Sequence, residues 1–285
     1  MILRARQHWF EFPRAPIVLG SLNLCTPGTP AGQAKLTPVQ ISEARALVED
    51  GAQIIVISMG DAERETDVPE EKDAAERLGA FVRAWSEAGY SEPLAVHTPH
   101  PLVARAMLEL GVDILFEPVR APVAGDADPS RGSAYARLCA ESGAALVLDY
   151  AVGGDSLASA AGACAGAIET AERLLEEKLR ASLAAGLSEE AVIIGLRLER
   201  IVHGGDALLV CAQLHRFHKF GRPLLLTETK EPSGEGSDFE EVSERRAAGM
   251  VSRMVRGVLA GVHLFNGHPV AAAALAVRTV SAVLA

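Results

Sequence analysis

The sequence predicts an α/β protein: a (β/α)8 TIM barrel that forms a single domain over residues 1–285. Eight short apolar runs alternate with eight stretches of helical periodicity. The runs are apolar throughout rather than at every second position, which is typical of parallel strands covered on both faces. No linker or shift in composition divides the chain, and no GxGxxG motif follows a run, which disfavours an open dinucleotide-binding sheet.

The first unit shows how each element is bounded. Residues 17–24 form an apolar run that breaks into Thr, Pro and Gly. Thr37 and Pro38 then predict a helix start, because a capping hydroxyl precedes a proline at the first helical position. The dipeptide Asp50-Gly51 ends that helix.

The remaining units repeat this order. Further strands are predicted at residues 53–58, 93–97, 113–117, 145–150, 191–198, 223–227 and 261–265. Further helices are predicted at residues 69–88, 99–110, 130–142, 156–185, 206–220 and 238–259, and from residue 269 onward.

Composition and charge restrict the class of partner. The chain has 285 residues, 49% of them hydrophobic, and a net charge of −10. Lys and Arg do not cluster, which disfavours nucleic acid because phosphate contacts need grouped cations. A small anionic ligand remains compatible with this charge, since local cations or helix N-termini can bind it.

Cysteine spacing and hydropathy indicate the compartment. Four scattered cysteines without CxxC spacing predict neither a zinc site nor a disulfide framework. The N-terminus lacks the apolar core of a signal peptide, and no apolar run reaches the length of a membrane span. We therefore expect a cytoplasmic protein with reduced thiols and no membrane partner.

Polar residues concentrate where the predicted strands end, which is where such barrels carry their active sites. They are Asn23, Ser58, Asp61, His97, Thr98, Glu117, Asp149, Arg197, Glu199, Glu228, Lys230, Asn266 and His268. A solvated rim would also be polar. The concentration of ionisable groups on one face favours a ligand site.

Two constellations on this face suggest chemistry. His97, Glu117 and Asp149 follow three consecutive strands and could converge as ligands of a divalent metal or as acid and base groups. Lys230 could form a Schiff base, but the carboxylates beside it would raise the lysine pKa and so disfavour a neutral nucleophile.

Several of these segments resemble dihydropteroate synthases in sequence order. Residues 23–29 (NLCTPGT) resemble the family's Asn-Val-Thr-Pro-Asp-Ser-Phe, and residues 51–57 (GAQIIVI) its Gly-Ala-Asp-Ile-Ile-Asp-Ile. Residues 94–98 (LAVHT) stand where the family has a strand ending in Asp-Thr. Residues 223–230 take the place of its strand ending in Ser-Arg-Lys, and residues 266–268 (NGH) that of its Arg-Val-His.

The resemblance covers nearly the whole chain and implies a fold and an activity. Family members condense a pterin pyrophosphate with p-aminobenzoate, with Mg2+ as cofactor, and form homodimers through their last helices. Carried over to matching positions, the resemblance implies that Asn23 coordinates Mg2+ and that His268 belongs to the anion site. Lys230 would contact the pterin and line the p-aminobenzoate pocket. The apolar closing stretch at 270–285 fits a homodimer interface.

The pterin contacts of the family are largely replaced. Its Asp, Asn and Asp at the third, fourth and sixth strands correspond to His97, Phe116 and Gly195, and its pyrophosphate-binding Arg to Asn266. Each charged hydrogen bond lost costs about 1.5–3 kcal/mol of binding free energy. We therefore predict a divergent member that binds a small anionic, pterin- or folate-related ligand without useful synthase activity.

Two alternatives remain at this point. The protein could be a catalytically inactive binding or regulatory partner, or an enzyme that acts on another substrate through His97, Glu117 and Asp149. The predicted catalytic residues are Lys230, His97 and Glu117. The predicted ligand-binding residues are Asn23, Thr98, Glu117, Asp149, Arg197, Lys230, Asn266 and His268, with Asn23 as the metal ligand.

Overall fold

The computed structural model describes residues 1–25, 38–59, 71–119, 134–152, 163–198, 204–228 and 239–284. In this part of the chain eight parallel strands form a barrel in which each strand pairs with the next along the chain, and the last pairs with the first to close it. The strands are β3 (Ile17–Asn23), β4 (Ile54–Ser58), β5 (Leu94–His97), β6 (Ile114–Val119), β7 (Ala145–Val152), β8 (Val192–Leu198), β9 (Leu224–Glu228) and β10 (Leu264–Asn266). The predicted (β/α)8 barrel is confirmed.

A helix follows each barrel strand, as predicted. The helices are α1 (Pro38–Glu49), α2 (Glu71–Glu87), α3 (Pro101–Glu109), α4 (Ala134–Ser142), α5 (Ala163–Ala184), α6 (Gly204–Gln213), α7 (Phe239–Leu259) and α8 (Val270–Leu284). The helix predicted at 206–220 is α-helical only to Gln213 and continues as a 3-10 helix, Leu214–Phe220. Among the described residues no helix is long and apolar enough to cross a membrane.

An N-terminal hairpin lies outside the predicted scheme. β1 (Ile2–Ala5) and β2 (His8–Glu11) pair antiparallel. The hairpin buries Leu3 in the same apolar cluster as the residues that begin the barrel strands. Arg6, in its turn, donates a hydrogen bond to the Leu108 carbonyl at 2.8 Å. Its strands, ILRA and HWFE, mix apolar with charged or polar residues, so a search for continuous apolar runs does not identify them.

Every second side chain of each strand points into the barrel, and these inward side chains form layers along the barrel axis. The apolar layers comprise Ile17, Leu19, Ile54, Val56, Ala95, Ile114, Phe116, Ala145, Val147, Ile193, Leu225 and Leu264. Counting on by two toward the C-terminal ends gives the next inward positions: Ser21, Ser58, His97, Pro118, Asp149, Gly195, Arg197, Thr227 and Asn266. The interior thus changes from apolar to polar at the end where barrel enzymes bind their substrates.

Candidate functional site

The centre of this polar layer is an ion pair between neighbouring strands. Arg197 Nε lies 3.1 Å from Asp149 Oδ2, and the two side chains are 8% and 2% exposed. His97 Nε2 lies 3.9 Å from the same carboxylate oxygen. Burial raises the pKa of Asp149, and the Arg197 guanidinium opposes that rise. Three predicted ligand or catalytic residues are therefore brought together inside the barrel.

Gly195 provides the space that this pair occupies. Gly195 is the register partner of Asp149 across β7 and β8. A Cβ atom at residue 195 would lie 2.8 Å from Val147 Cγ1 and 3.2 Å from both Cα and Oδ1 of Asp149. A side chain at residue 195 would therefore force Val147 to shift and would crowd Asp149. The carboxylate in this part of the interior therefore belongs to β7, and its register partner on β8 has no side chain.

The neighbouring strands complete the polar layer with uncharged groups. Thr227 is the register partner of Arg197 and also pairs with Asn266. Ser21, which is exposed, donates a hydrogen bond to Asn266 Oδ1 at 2.7 Å. Within the described chain, the buried atoms Asp149 Oδ1 and Thr227 Oγ1 have no hydrogen-bond partner. Buried polar atoms normally have a hydrogen-bond partner, and these two are hydrogen-bonding groups that the described chain leaves unsatisfied.

Glu117 does not join this layer, which corrects the predicted convergence of His97, Glu117 and Asp149. Its neighbour Phe116 takes the inward position, so the pleat turns Glu117 to the outer face of the barrel. There Oε1 of Glu117 lies 2.5 Å from Lys178 Nζ on α5. The described residues contain no group of three His, Cys, Asp or Glu side chains that could bind a metal ion.

Thr98 is outward-facing for the same reason. Its Oγ1 accepts a hydrogen bond from the His100 backbone N–H at 3.2 Å, at the start of α3. Its carbonyl accepts another from the Tyr135 hydroxyl at 2.7 Å. Glu228 is also turned outward, where both of its carboxylate oxygens accept hydrogen bonds from Arg253 on α7. Through these contacts α3, α4 and α7 are attached to the outer face of the barrel.

The outward Glu117 predicts a pH-dependent stability. Burial raises the pKa of Glu117 from 4.5 to about 7, against the lowering effect of Lys178. Between these values the native state holds a proton that the unfolded state has released. The contribution of Glu117 to the free energy of unfolding should therefore fall by up to about 3 kcal/mol as pH rises through this window, and level off above it. Burial lowers the pKa of His263 from 6.5 to about 4, which has the opposite effect on stability up to about pH 6.5, so the contribution of Glu117 is measured as a difference between variants.

Urea unfolding followed by circular dichroism at about pH 5, 6, 7 and 8 measures this change. Glu117→Gln should remove this fall, because the amide does not titrate, so the wild type should lose stability relative to the variant as pH rises. Glu177→Gln, on the exposed face of α5, is the matched control and should leave the wild-type profile unchanged. Wild-type and Glu117→Gln profiles that run parallel over this range would contradict the prediction.

Other predicted residues lie at the rim or outside the described chain. Asn23 ends β3 exposed, and its Oδ1 accepts a hydrogen bond from the Cys25 backbone N–H at 2.9 Å. His268 is also exposed, between β10 and α8. Lys230, Asp61 and Glu199 lie outside the described residues, so their predicted roles stay predictions.

Sequence reasoning missed two members of the polar layer, Ser21 and Thr227. Both are small hydroxyl residues within apolar runs, where composition does not distinguish them from ordinary strand residues. The two-residue period would have found them: each follows an inward-facing Leu, at residues 19 and 225, by two positions.

Comparisons with known proteins agree with this architecture. A family model described as "Pterin binding enzyme" matches residues 32–268. The chain is similar to dihydropteroate synthase from Xanthomonas albilineans in complex with 7,8-dihydropteroate, with 22% identity, a TM-score of 0.70, and coverage of 100% of this chain and 98% of that one. For the Yersinia pestis synthase with a sulfonamide drug complex, identity is 20%, the TM-score 0.74, and coverage 100% and 99%.

The Thermus thermophilus synthase in complex with 6HMPPP is similar at 23% identity and a TM-score of 0.69, with 99% of each chain covered. These structural matches show that the chain shares its barrel fold with the three synthases. No match is found among curated proteins. The family model spans most of the chain, including the strands that carry the buried ion pair. The chain belongs to the pterin binding enzyme family.

Proposed function

We propose that the protein binds a small anionic, pterin- or folate-related ligand at the C-terminal ends of its barrel strands and does not make dihydropteroate at a useful rate. The observation that carries this is the buried Asp149–Arg197 pair, with His97 beside it, on the inner face of the barrel. Charges this deeply buried are costly to desolvate, and they cluster at functional sites.

The layer can hold an anionic group of a ligand through one cation and several hydrogen-bonding groups. Asp149 and Arg197 balance each other in charge, and the guanidinium is the group that attracts an anion. Thr227, Ser21 and Asn266 supply hydroxyl and amide groups that can hydrogen-bond oxygen atoms. A phosphate or carboxylate group of a ligand would meet a cation and polar neighbours here.

The absence of synthase turnover is inferred from the same geometry. Phe116 and Gly195 face the interior at two positions where the resemblance implies pterin-binding side chains. Neither can supply a hydrogen bond through its side chain. Their replacement should weaken pterin binding by several orders of magnitude, at about 1.5–3 kcal/mol for each charged hydrogen bond lost.

Mg2+ would enter this site with the phosphate groups of a ligand. Asn23 fits as a protein ligand, because amide oxygens suit Mg2+ and Asn23 ends β3 exposed at the rim of the barrel. Bound there, the ion would neutralise phosphate charge. The contact from the Cys25 N–H holds the Asn23 amide at the rim of the barrel.

Calorimetric titration with dihydropterin pyrophosphate, with and without Mg2+, tests the proposal, together with a turnover assay that adds p-aminobenzoate. We expect measurable, Mg2+-dependent binding and no dihydropteroate above background. Binding should weaken at least tenfold in Arg197→Gln and be unchanged in Arg180→Gln, which alters an exposed ion pair on α5. Robust turnover would refute the second half of the proposal, and no binding at millimolar ligand would refute the first.

A homodimer is proposed from the apolar surface of the last two helices. Leu259 on α7 and Leu275, Val283 and Leu284 on α8 are 55–80% exposed. Large exposed apolar residues grouped on adjacent elements mark interaction surfaces. Light scattering should give twice the chain mass for the wild type and the monomer mass for Leu275→Glu. A monomeric wild type at micromolar concentration would contradict this.

A further inference from the structure

The polar layer inside the barrel has a charged part and an uncharged part. His97, Asp149 and Arg197 lie on β5, β7 and β8, and the ion pair between Asp149 and Arg197 is almost fully buried. Ser21 and Asn266 lie on β3 and β10, the two strands that pair to close the barrel. Ser21 is exposed, so a ligand that enters the mouth can reach the uncharged part without disturbing the ion pair.

Ser21 fixes the orientation of the Asn266 side-chain amide. Its hydroxyl donates a hydrogen bond to Asn266 Oδ1 at 2.7 Å. The two ends of an amide are nearly equal in shape, but one accepts hydrogen bonds and the other donates them. This single contact therefore decides which end faces Ser21, and it turns the N–H2 end away from β3.

The N–H2 group of Asn266 is a donor without a protein acceptor. In the described part of the chain it donates no hydrogen bond, yet its nitrogen is not among the fully buried polar atoms that lack a partner. The side chain as a whole is nearly buried, with Asn266 8% exposed. A donor that is held in one orientation and still reaches solvent costs little to order when a ligand binds.

We infer that Asn266 Nδ2 donates a hydrogen bond to an acceptor oxygen of the ligand, and that Ser21 is the positioning residue that holds this donor in place. The inference rests on the proposed function, because it assigns one contact of the ligand bound there. The acceptor oxygen belongs to a carboxylate substituent or to a ring carbonyl, which share this chemistry. Arg197 keeps its contact with Asp149 throughout.

Fluorescence titration of the purified full chain with pterin-6-carboxylate and 6-methylpterin tests this, because the two probes share a ring and differ in one substituent. Asn266→Asp keeps an oxygen that accepts from Ser21 and replaces the N–H2 donor with a second, negatively charged oxygen. It should bind pterin-6-carboxylate at least about tenfold more weakly than the wild type. An equal loss for 6-methylpterin would assign the acceptor to the ring, and a loss confined to pterin-6-carboxylate would assign it to the carboxylate.

Variants of Ser21 test the positioning role. Ser21→Ala lets the amide turn, so the affinity for pterin-6-carboxylate should fall at least about threefold as the binding-competent orientation becomes less populated. Ser21→Thr keeps the hydroxyl and should restore the wild-type affinity. In the Asn266→Asp background, Ser21→Ala should have no further effect, because no donor remains to be positioned. A merely structural role of Ser21 would weaken binding in both backgrounds.

Gln7→Glu is the matched control for charge. It makes the same charge change as Asn266→Asp, in the exposed turn of the N-terminal hairpin, and should leave both affinities unchanged. Circular dichroism checks that each variant is folded. Because Ser21 is exposed, its variants keep the inference testable if Asn266→Asp does not fold.

The outcomes separate this inference from the proposed function. Wild-type affinity of Asn266→Asp for both probes would overturn the inference and leave ligand binding intact. Wild-type affinity of Ser21→Ala would overturn the positioning role. No binding of either probe or of dihydropterin pyrophosphate to the wild type at millimolar concentration would overturn both the inference and the proposed function.

Discussion

Replacing Asp149 with leucine should lower the free energy of unfolding by about 3–5 kcal/mol, because the variant leaves the Arg197 guanidinium buried without its counter-charge. Arg197 Nε lies 3.1 Å from Asp149 Oδ2, and the arginine side chain is only 8% exposed. Arginine stays protonated at all accessible pH values, so it cannot relieve the penalty by losing its charge.

The converse variant should cost less. In Arg197→Leu the carboxylate of Asp149 is the unpaired group, and it can take up a proton. Burial already raises the pKa of Asp149, and loss of the guanidinium removes the effect that opposes this rise. The structure therefore predicts an asymmetric pair, in which replacing the aspartate costs more stability than replacing the arginine.

Urea unfolding of both single variants and of Asp149→Leu/Arg197→Leu measures the asymmetry. The double variant should recover much of the loss, because no buried charge remains. Glu176→Ala, which removes an exposed ion pair on α5, should change stability by less than about 1 kcal/mol. If Asp149→Leu costs no more than this surface variant, the buried pair does not exist as described.

A second large effect is expected from Gly195→Asp, which reinstates a carboxylate on β8. Its Cβ would lie 2.8 Å from Val147 Cγ1 and 3.2 Å from Asp149 Oδ1. Overpacking alone costs about 1–3 kcal/mol, and a second buried carboxylate next to Asp149 adds like-charge repulsion. We expect a total loss of at least about 3 kcal/mol of the free energy of unfolding, and no gain in affinity for dihydropterin pyrophosphate.

Gly195→Ala separates the two contributions, because it introduces the Cβ without the charge. Gly166→Ala is the control for the glycine change itself: Gly166 lies in α5, and a Cβ atom added there would meet no other part of the described chain within 4 Å. Alanine should be neutral or stabilising at that position. Thermal unfolding of the three variants should rank Gly195→Asp lowest. A Gly195→Asp protein as stable as the wild type would show that the interior can rearrange.

The barrel could be predicted from local sequence patterns. Each strand is an apolar run, and each helix is bounded by local breakers such as Asp50-Gly51, so the order of elements follows without knowledge of any contact. The same patterns placed polar residues at the strand ends, because those residues lie next to the breakers. The N-terminal hairpin was missed, since β1 and β2 mix apolar with charged or polar residues and form no continuous apolar run.

Which of those polar residues face one another depends on the folded barrel. Glu117 and Asp149 look alike in sequence, yet the pleat turns one toward α5 and the other into the barrel. A shift of one residue reverses the face of a strand side chain, which is within the uncertainty of a strand boundary read from sequence. The Asp149–Arg197 pair depends in addition on the register of β7 against β8 and on the space that Gly195 leaves. Register and packing are relations between distant parts of the chain, and for that reason no single stretch of sequence contains them.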